Sequence, residues 1–119
     1  MTQSLTDFFS AWTMTAEDGR DARIASALAD NCSYVDPRTD AELTGTQAIT
    51  DYVAQFLPMC PPGASVSVAD PVDVKLGIAR CTVHFTMSED MRQIGQYFAD
   101  LDADGKITRL VGFVGKGAE

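Results

Sequence analysis

The hydrophobic period of this chain changes once, near residue 64, and that change limits the folds open to it. Before it, apolar residues recur at helical spacing: Leu5, Phe8, Phe9 and Trp12 at i, i+3, i+4 and i+7, then a narrower stripe of Ile24, Ala27 and Leu28, then Ile49, Tyr52, Val53 and Phe56. Ser4 and Asp21 are placed to cap the first two helices, Asp18-Gly19 separates them, and Asp30-Asn31 ends the second. Arg38 to Thr44 reads as a polar loop, Gly45-Thr46 opens the third helix and Pro58 stops it. After residue 64 the period is that of a strand. Val66, Val68, Val72 and Val74 form one extended run interrupted at Asp70-Pro71, where proline requires a bulge or an edge position. Cys81, Val83, Phe85 and Met87 alternate with Arg80, Thr82, His84 and Thr86, and strands over 94–101 and 107–114 flank a tight turn at 102–105. The spacing predicts three helices followed by a four-strand antiparallel meander.

Helices first and long strands after them give an α+β fold in which a curved sheet wraps the helices and leaves a conical space between. A length of 119 residues, 45% of them hydrophobic, suits one domain over 1–119. The net charge of -8, with no cationic cluster, argues against a nucleic-acid backbone or an anionic membrane as partner. The first residues carry no positive stretch and no long apolar run, so neither a secretory signal nor a transmembrane helix is expected, and the cytoplasm is the expected compartment.

One short stretch between the helices stands apart. Residues 32–36 read as a strand, and its end, Tyr34-Val35-Asp36-Pro37, puts a carboxylate on a mostly apolar run, which is costly to bury unless it is compensated. Asp36 therefore reads either as a general base in a pocket or as a turn-former capping local amides before Pro37. Parity puts Tyr34 on the same face as Asp36. It puts His84 on the convex face with Arg80 and Thr82, away from any interior site. Cys32, Cys60 and Cys81 lack metal-ligand or disulfide spacing and read as small buried hydrophobes. Asp100-x-Asp102-x-Asp104-Gly105 begins like a calcium loop, but Val111 stands where a bidentate Glu is required, so a hairpin turn is the reading. No metal ligand set and no phosphate-binding glycine loop occur, so no cofactor is expected.

The helix ending in Ala11-Trp12, the Leu28-Ala29-Asp30-Asn31 exit, Tyr34-Val35-Asp36-Pro37, Leu43-Thr44-Gly45, the run Phe98 to Thr108 and the closing Gly112-Phe113 together resemble the nuclear transport factor 2-like superfamily, and within it the SnoaL-like proteins and ketosteroid isomerases. The resemblance spans nearly the whole chain. It implies a cystatin-like cone, with three N-terminal helices packed in the concave face of a curved, mainly antiparallel sheet. It also implies a catalytic base at Asp36. The isomerase oxyanion donors fall at Trp12 and Tyr97, which differ from the family's tyrosine and aspartate, so the steroid reaction itself is not expected. The expected site has Asp36 and Tyr97 as catalytic groups, with Trp12, Tyr34, Tyr52, Phe56, Val83 and Phe85 lining an apolar pocket for a small molecule. A homodimer through the convex sheet face, with Arg80, Thr82, His84, Arg109, Val111 and Phe113, is the expected assembly. The open alternative is a noncatalytic ligand-binding or interaction module.

Overall fold

The computed structural model describes residues 3–115. Helix α1 (Gln3–Ser10) buries Leu5, Phe8 and Phe9, and a 3-10 turn over Ala11–Thr13 carries the same buried face on to Trp12. Thr15 and Asp18 cap a second 3-10 turn reciprocally, each side chain bonding the other's backbone amide. Helix α2 (Arg20–Ala27) follows Gly19, whose φ of 89° makes the turn between them. Asp21 was expected to cap this helix; it lies inside the first turn and pairs with Arg20 instead.

Strand β1 (Leu28–Val35) begins four residues earlier than the pattern suggested, and α2 ends at Ala27 where Asp30-Asn31 had been expected to stop it. The cause is tertiary. Leu28 pairs with Ile107 of the last strand, and the register then shifts before Ser33, which leaves Asp30 and Asn31 exposed at an irregularity of the ladder. Strand β2 (Leu43–Thr44) pairs antiparallel with β1 in a segment that read as polar loop, so β1 is not the sheet's outermost strand. Helix α3 (Thr46–Ala54) buries Ile49 and Val53 and stops before Pro58, which sits in a 3-10 turn over Leu57–Met59. The extended run divides at Asp70-Pro71 into β3 (Ser65–Val68) and β4 (Asp73–Lys75), both antiparallel to β5 (Ile78–Thr86). Strands β6 (Arg92–Leu101) and β7 (Ile107–Val114) complete the meander.

The sheet order is β2-β1-β7-β6-β5-β3, with β4 also on β5. The β1–β7 pair is parallel and the others are antiparallel. Cys81, Val83, Phe85, Tyr97, Ala99, Ile107 and Leu110 point inward and meet the buried faces of the helices. The result is an α+β cone with its core between helices and concave sheet. At the β6–β7 turn, Asp102 Oδ1 accepts from the amides of Asp104 and Lys106, so the aspartate-rich motif is a hairpin turn. Among the described residues no helix is long and apolar enough to cross a membrane.

Candidate functional site

Asp36 is the first residue beyond β1, and the turn it opens is tightly held. Its Oδ1 accepts from the amides of Arg38 at 2.8 Å and Thr39 at 3.2 Å. Thr39 returns the bond, donating from Oγ1 to the Asp36 carbonyl at 3.0 Å. Two phenols complete the shell: the Tyr34 hydroxyl donates to Oδ2 at 2.7 Å, and the Tyr52 hydroxyl lies 2.8 Å from both carboxylate oxygens. The carboxylate is only 7% exposed, has no ion-pair partner among the described residues, and is balanced by these donors alone. Both readings of Asp36 are thus present in the geometry: it is a turn-former, and it stands at a cavity.

That cavity has a volume of about 290 Å³, and Trp12, Asp36, Tyr52, Phe56, Phe85 and Tyr97 line it. Trp12 is central to the aromatic wall, its ring centroid 6.1 Å from Tyr52, 5.2 Å from Phe56 and 5.7 Å from Phe85. Its indole Nε1 is enclosed and has no acceptor among the described residues, an unusual state for a buried donor. Tyr34 and Val83, expected on the wall, lie behind it in the core, because Phe8 and Tyr52 cover the Tyr34 ring and Val83 is fully enclosed. Sequence reasoning missed Arg38, Gln55, Met59 and Gln93, which also line the wall, and Phe113, expected on the convex face, borders it as well. Arg38 had a signal: a turn closed on Asp36 necessarily brings its next two residues to the same place.

All three tyrosines of the chain converge here. The Tyr97 hydroxyl is 3.3 Å from that of Tyr34. Because the single Tyr34 proton is committed to Asp36, Tyr97 is the donor in that pair, and the bonds run in one direction from Tyr97 through Tyr34 to the carboxylate. Tyr97 lies against β7 in a slot made by two glycines. A Cβ at Gly112, its cross-strand partner, would stand 2.4 Å from the ring, and one at Gly95 would stand 3.0 Å from it.

Burial, reinforced by the neighbouring Tyr97 and Asp36, pushes the Tyr34 phenol well above its ordinary value of 10. Burial and then the bond to Asp36 raise Tyr52, and burial raises Tyr97. These three groups therefore remain neutral donors throughout the physiological range. In alkali the sign is destabilising: the unfolded chain loses phenolic protons above pH 10 while the folded chain keeps them. For the two deeply buried tyrosines, 34 and 97, each further pH unit should cost up to about 1.4 kcal/mol apiece. Melting curves from pH 8 to 11.5 should fall gently above pH 9, where burial keeps the Cys81 thiol, pushed up to about 11, protonated in the folded chain only, and steeply above pH 10, with tyrosinate absorbance at 295 nm appearing only as the chain unfolds. Tyrosinate that formed near pH 10 in the folded protein would contradict this.

The sequence matches no family model and no curated protein. Solved structures do match it. A candidate isomerase of the SnoaL-like family from Agrobacterium tumefaciens is 26% identical, with a TM-score of 0.80 over 98% of this chain and 100% of that one. A candidate ketosteroid isomerase from Kribbella flavida is 24% identical, with a TM-score of 0.66 over 99% of this chain and 79% of that one. A protein of ketosteroid isomerase-like fold from Catenulispora acidiphila, solved in complex with trimethylamine, is 16% identical, with a TM-score of 0.72 over 92% of this chain and 83% of that one. The architecture is thus the cystatin-like cone. More narrowly, the chain adopts the nuclear transport factor 2-like fold of the SnoaL-like and ketosteroid isomerase-like proteins.

Proposed function

We propose that this chain binds a small carbonyl compound in the aromatic cavity and moves a proton on it, with Asp36 as general base. The observation that carries the reading is the chain of three neutral phenols at a cavity wall, two bonded to one buried carboxylate and the third, Tyr97, reaching it through Tyr34. In the step itself, Asp36 takes a proton from the carbon next to the carbonyl. The C–H electron pair moves toward the carbonyl oxygen, and Tyr97, redirecting its proton from Tyr34, donates a hydrogen bond to the oxygen as it becomes negative. The Tyr52 hydroxyl belongs to a half-buried side chain, so it is the donor that swings aside to open a carboxylate lone pair. Base and donor lie two hydrogen bonds apart, a separation that suits the reacting carbon and oxygen of one enolisable group.

A binding cavity without catalysis is the second reading, and the two backbone amides on Oδ1 favour it, since they tie the carboxylate to its own turn. Proton exchange separates the two. In D2O, the protein should accelerate deuterium uptake at C1 of 2-tetralone, a compact apolar ketone, above the buffer rate, and Asp36→Asn should abolish the gain. Exchange no faster than buffer in the unaltered protein would remove the catalytic reading.

The proposed assembly is a homodimer through the convex face. There Phe98 and Phe113 are exposed and stack edge to face at 5.9 Å, with Ile78 exposed on the same face, while Val111 is half-buried. Sedimentation at micromolar concentration should give a dimer, and Phe113→Lys should give a monomer; a monomer from the unaltered chain would refute the assembly. The three unpaired cysteines support the cytoplasm as the place of action.

A further inference from the structure

The cavity wall carries two charged side chains, Asp36 and Arg38. The chain has seventeen acidic residues against nine basic ones, so a wall of average composition would be acidic. Instead, among the described residues, its exposed edge holds one arginine and no second carboxylate. Arg38 stands two residues from Asp36, yet it takes part in none of the ion pairs among the described residues. The reason is local: Asp36 is already satisfied by two amides and two phenols, one of the amides being that of Arg38 itself. The guanidinium is thereby left over. Arg38 nevertheless lines the cavity, and its charge works against the upward shifts of Tyr52, Tyr97 and Cys60. The bond from the Arg38 amide to Asp36 holds the backbone that carries the cation beside the base.

From this placement we infer that the ligand carries an anionic group, a carboxylate in the simplest case, which Arg38 binds at the mouth of the cavity. The inference rests on the cavity being a ligand site and specifies the class: a small oxo acid, with its charged end at Arg38 and its carbonyl turned inward toward Tyr97. Gln55 and Gln93, also on the wall, offer further amide donors to the same end. The buried Asp36 carboxylate admits only this orientation, since an anion turned inward would meet it without a countercharge.

Three probes of one shape test the inference: 3-phenylpropanoate, 3-phenylpropanamide and 3-phenylpropylammonium, titrated at low salt and read from the indole N–H resonance of Trp12, the single tryptophan of the chain. The carboxylate should bind about fivefold or more tightly than the amide, and the ammonium most weakly. Arg38→Gln should remove that preference by weakening the carboxylate far more than the amide, Arg38→Lys should keep part of it, and added salt should shrink it in the unaltered protein. Equal affinities, an ammonium that binds best, an Arg38→Gln variant that keeps the preference, or no response to any probe at millimolar concentration would overturn the inference. The chemistry is judged separately. A carboxylate preference without 2-tetralone exchange keeps the ligand class and removes the base, and exchange without the preference does the reverse.

Discussion

Asp36→Asn should leave the chain folded and lower the exchange of 2-tetralone about a hundredfold or more, whereas Asp36→Ala should clearly destabilise it. The contrast follows from what each side chain can still accept. An asparagine keeps an oxygen for the amides of Arg38 and Thr39, and its NH2 faces the Tyr34 and Tyr52 hydroxyls, which accept in place of donating. Only the proton acceptor is lost, and a positioned general base contributes roughly 10²–10⁴ in rate. Alanine leaves the enclosed Tyr34 hydroxyl and two turn amides without partners. The unmet buried hydroxyl costs about 1–3 kcal/mol, and the two turn amides, on an exposed and a half-buried residue that reach water, cost less. Urea unfolding and the exchange rate, measured on both variants, check the two halves. An Asp36→Asn variant that exchanges at the unaltered rate would show that Asp36 is an anchor of its turn and nothing more.

The second large effect is expected at a residue with no side chain. Gly112→Ala would put a methyl group 2.4, 2.7 and 2.9 Å from three ring atoms of Tyr97, and that ring cannot move away cheaply because Phe9 packs on it at 4.8 Å. Overpacking of this kind costs about 1–3 kcal/mol, which for a domain near 100 residues lowers the melting temperature by roughly 5–15 °C. The hydroxyl of Tyr97 should also leave Tyr34, so the exchange rate should fall together with stability. Gly95→Ala, whose Cβ meets the same ring at 3.0 Å, should show both effects in weaker form. If Gly112→Ala melts and exchanges like the unaltered protein, the ring is not held as described.

The order of elements was legible in the sequence because periodicity alone distinguishes a helix face from a strand face. The alternation over residues 80–87 put Cys81, Val83 and Phe85 inward and His84 outward, which is how β5 lies. Tyr34 and Asp36 share a side for the same reason, and their hydroxyl and carboxylate meet at 2.7 Å. What local pattern could not supply was long-range pairing. Leu28 fits a helical stripe and a strand equally well, and its place in β1 is decided by Ile107, far along the chain. Two residues, Leu43 and Thr44, are too few to carry a period, so β2 read as loop. The Tyr52–Asp36 bond joins a helix to a turn sixteen residues away, and no spacing rule predicts it. Tyr34 and Val83 were placed on the cavity wall because they point inward; inward-facing and cavity-facing differ by one layer of aromatic rings, which only packing reveals.

The glycine slot under Tyr97 has a consequence for how such a site changes in evolution. On the sheet side the cavity is bounded by Phe85, Gly95 and Tyr97, and a methyl group added at Gly95, or at Gly112 against the same ring, disturbs the hydroxyl donor. On the opposite side it is bounded by Gln55, Phe56 and Met59, none of which stacks on the Tyr97 ring. Descendants of this sequence are therefore free to accept new molecules by trading residues on the helical wall, while the sheet wall is held constant by the position of one phenol.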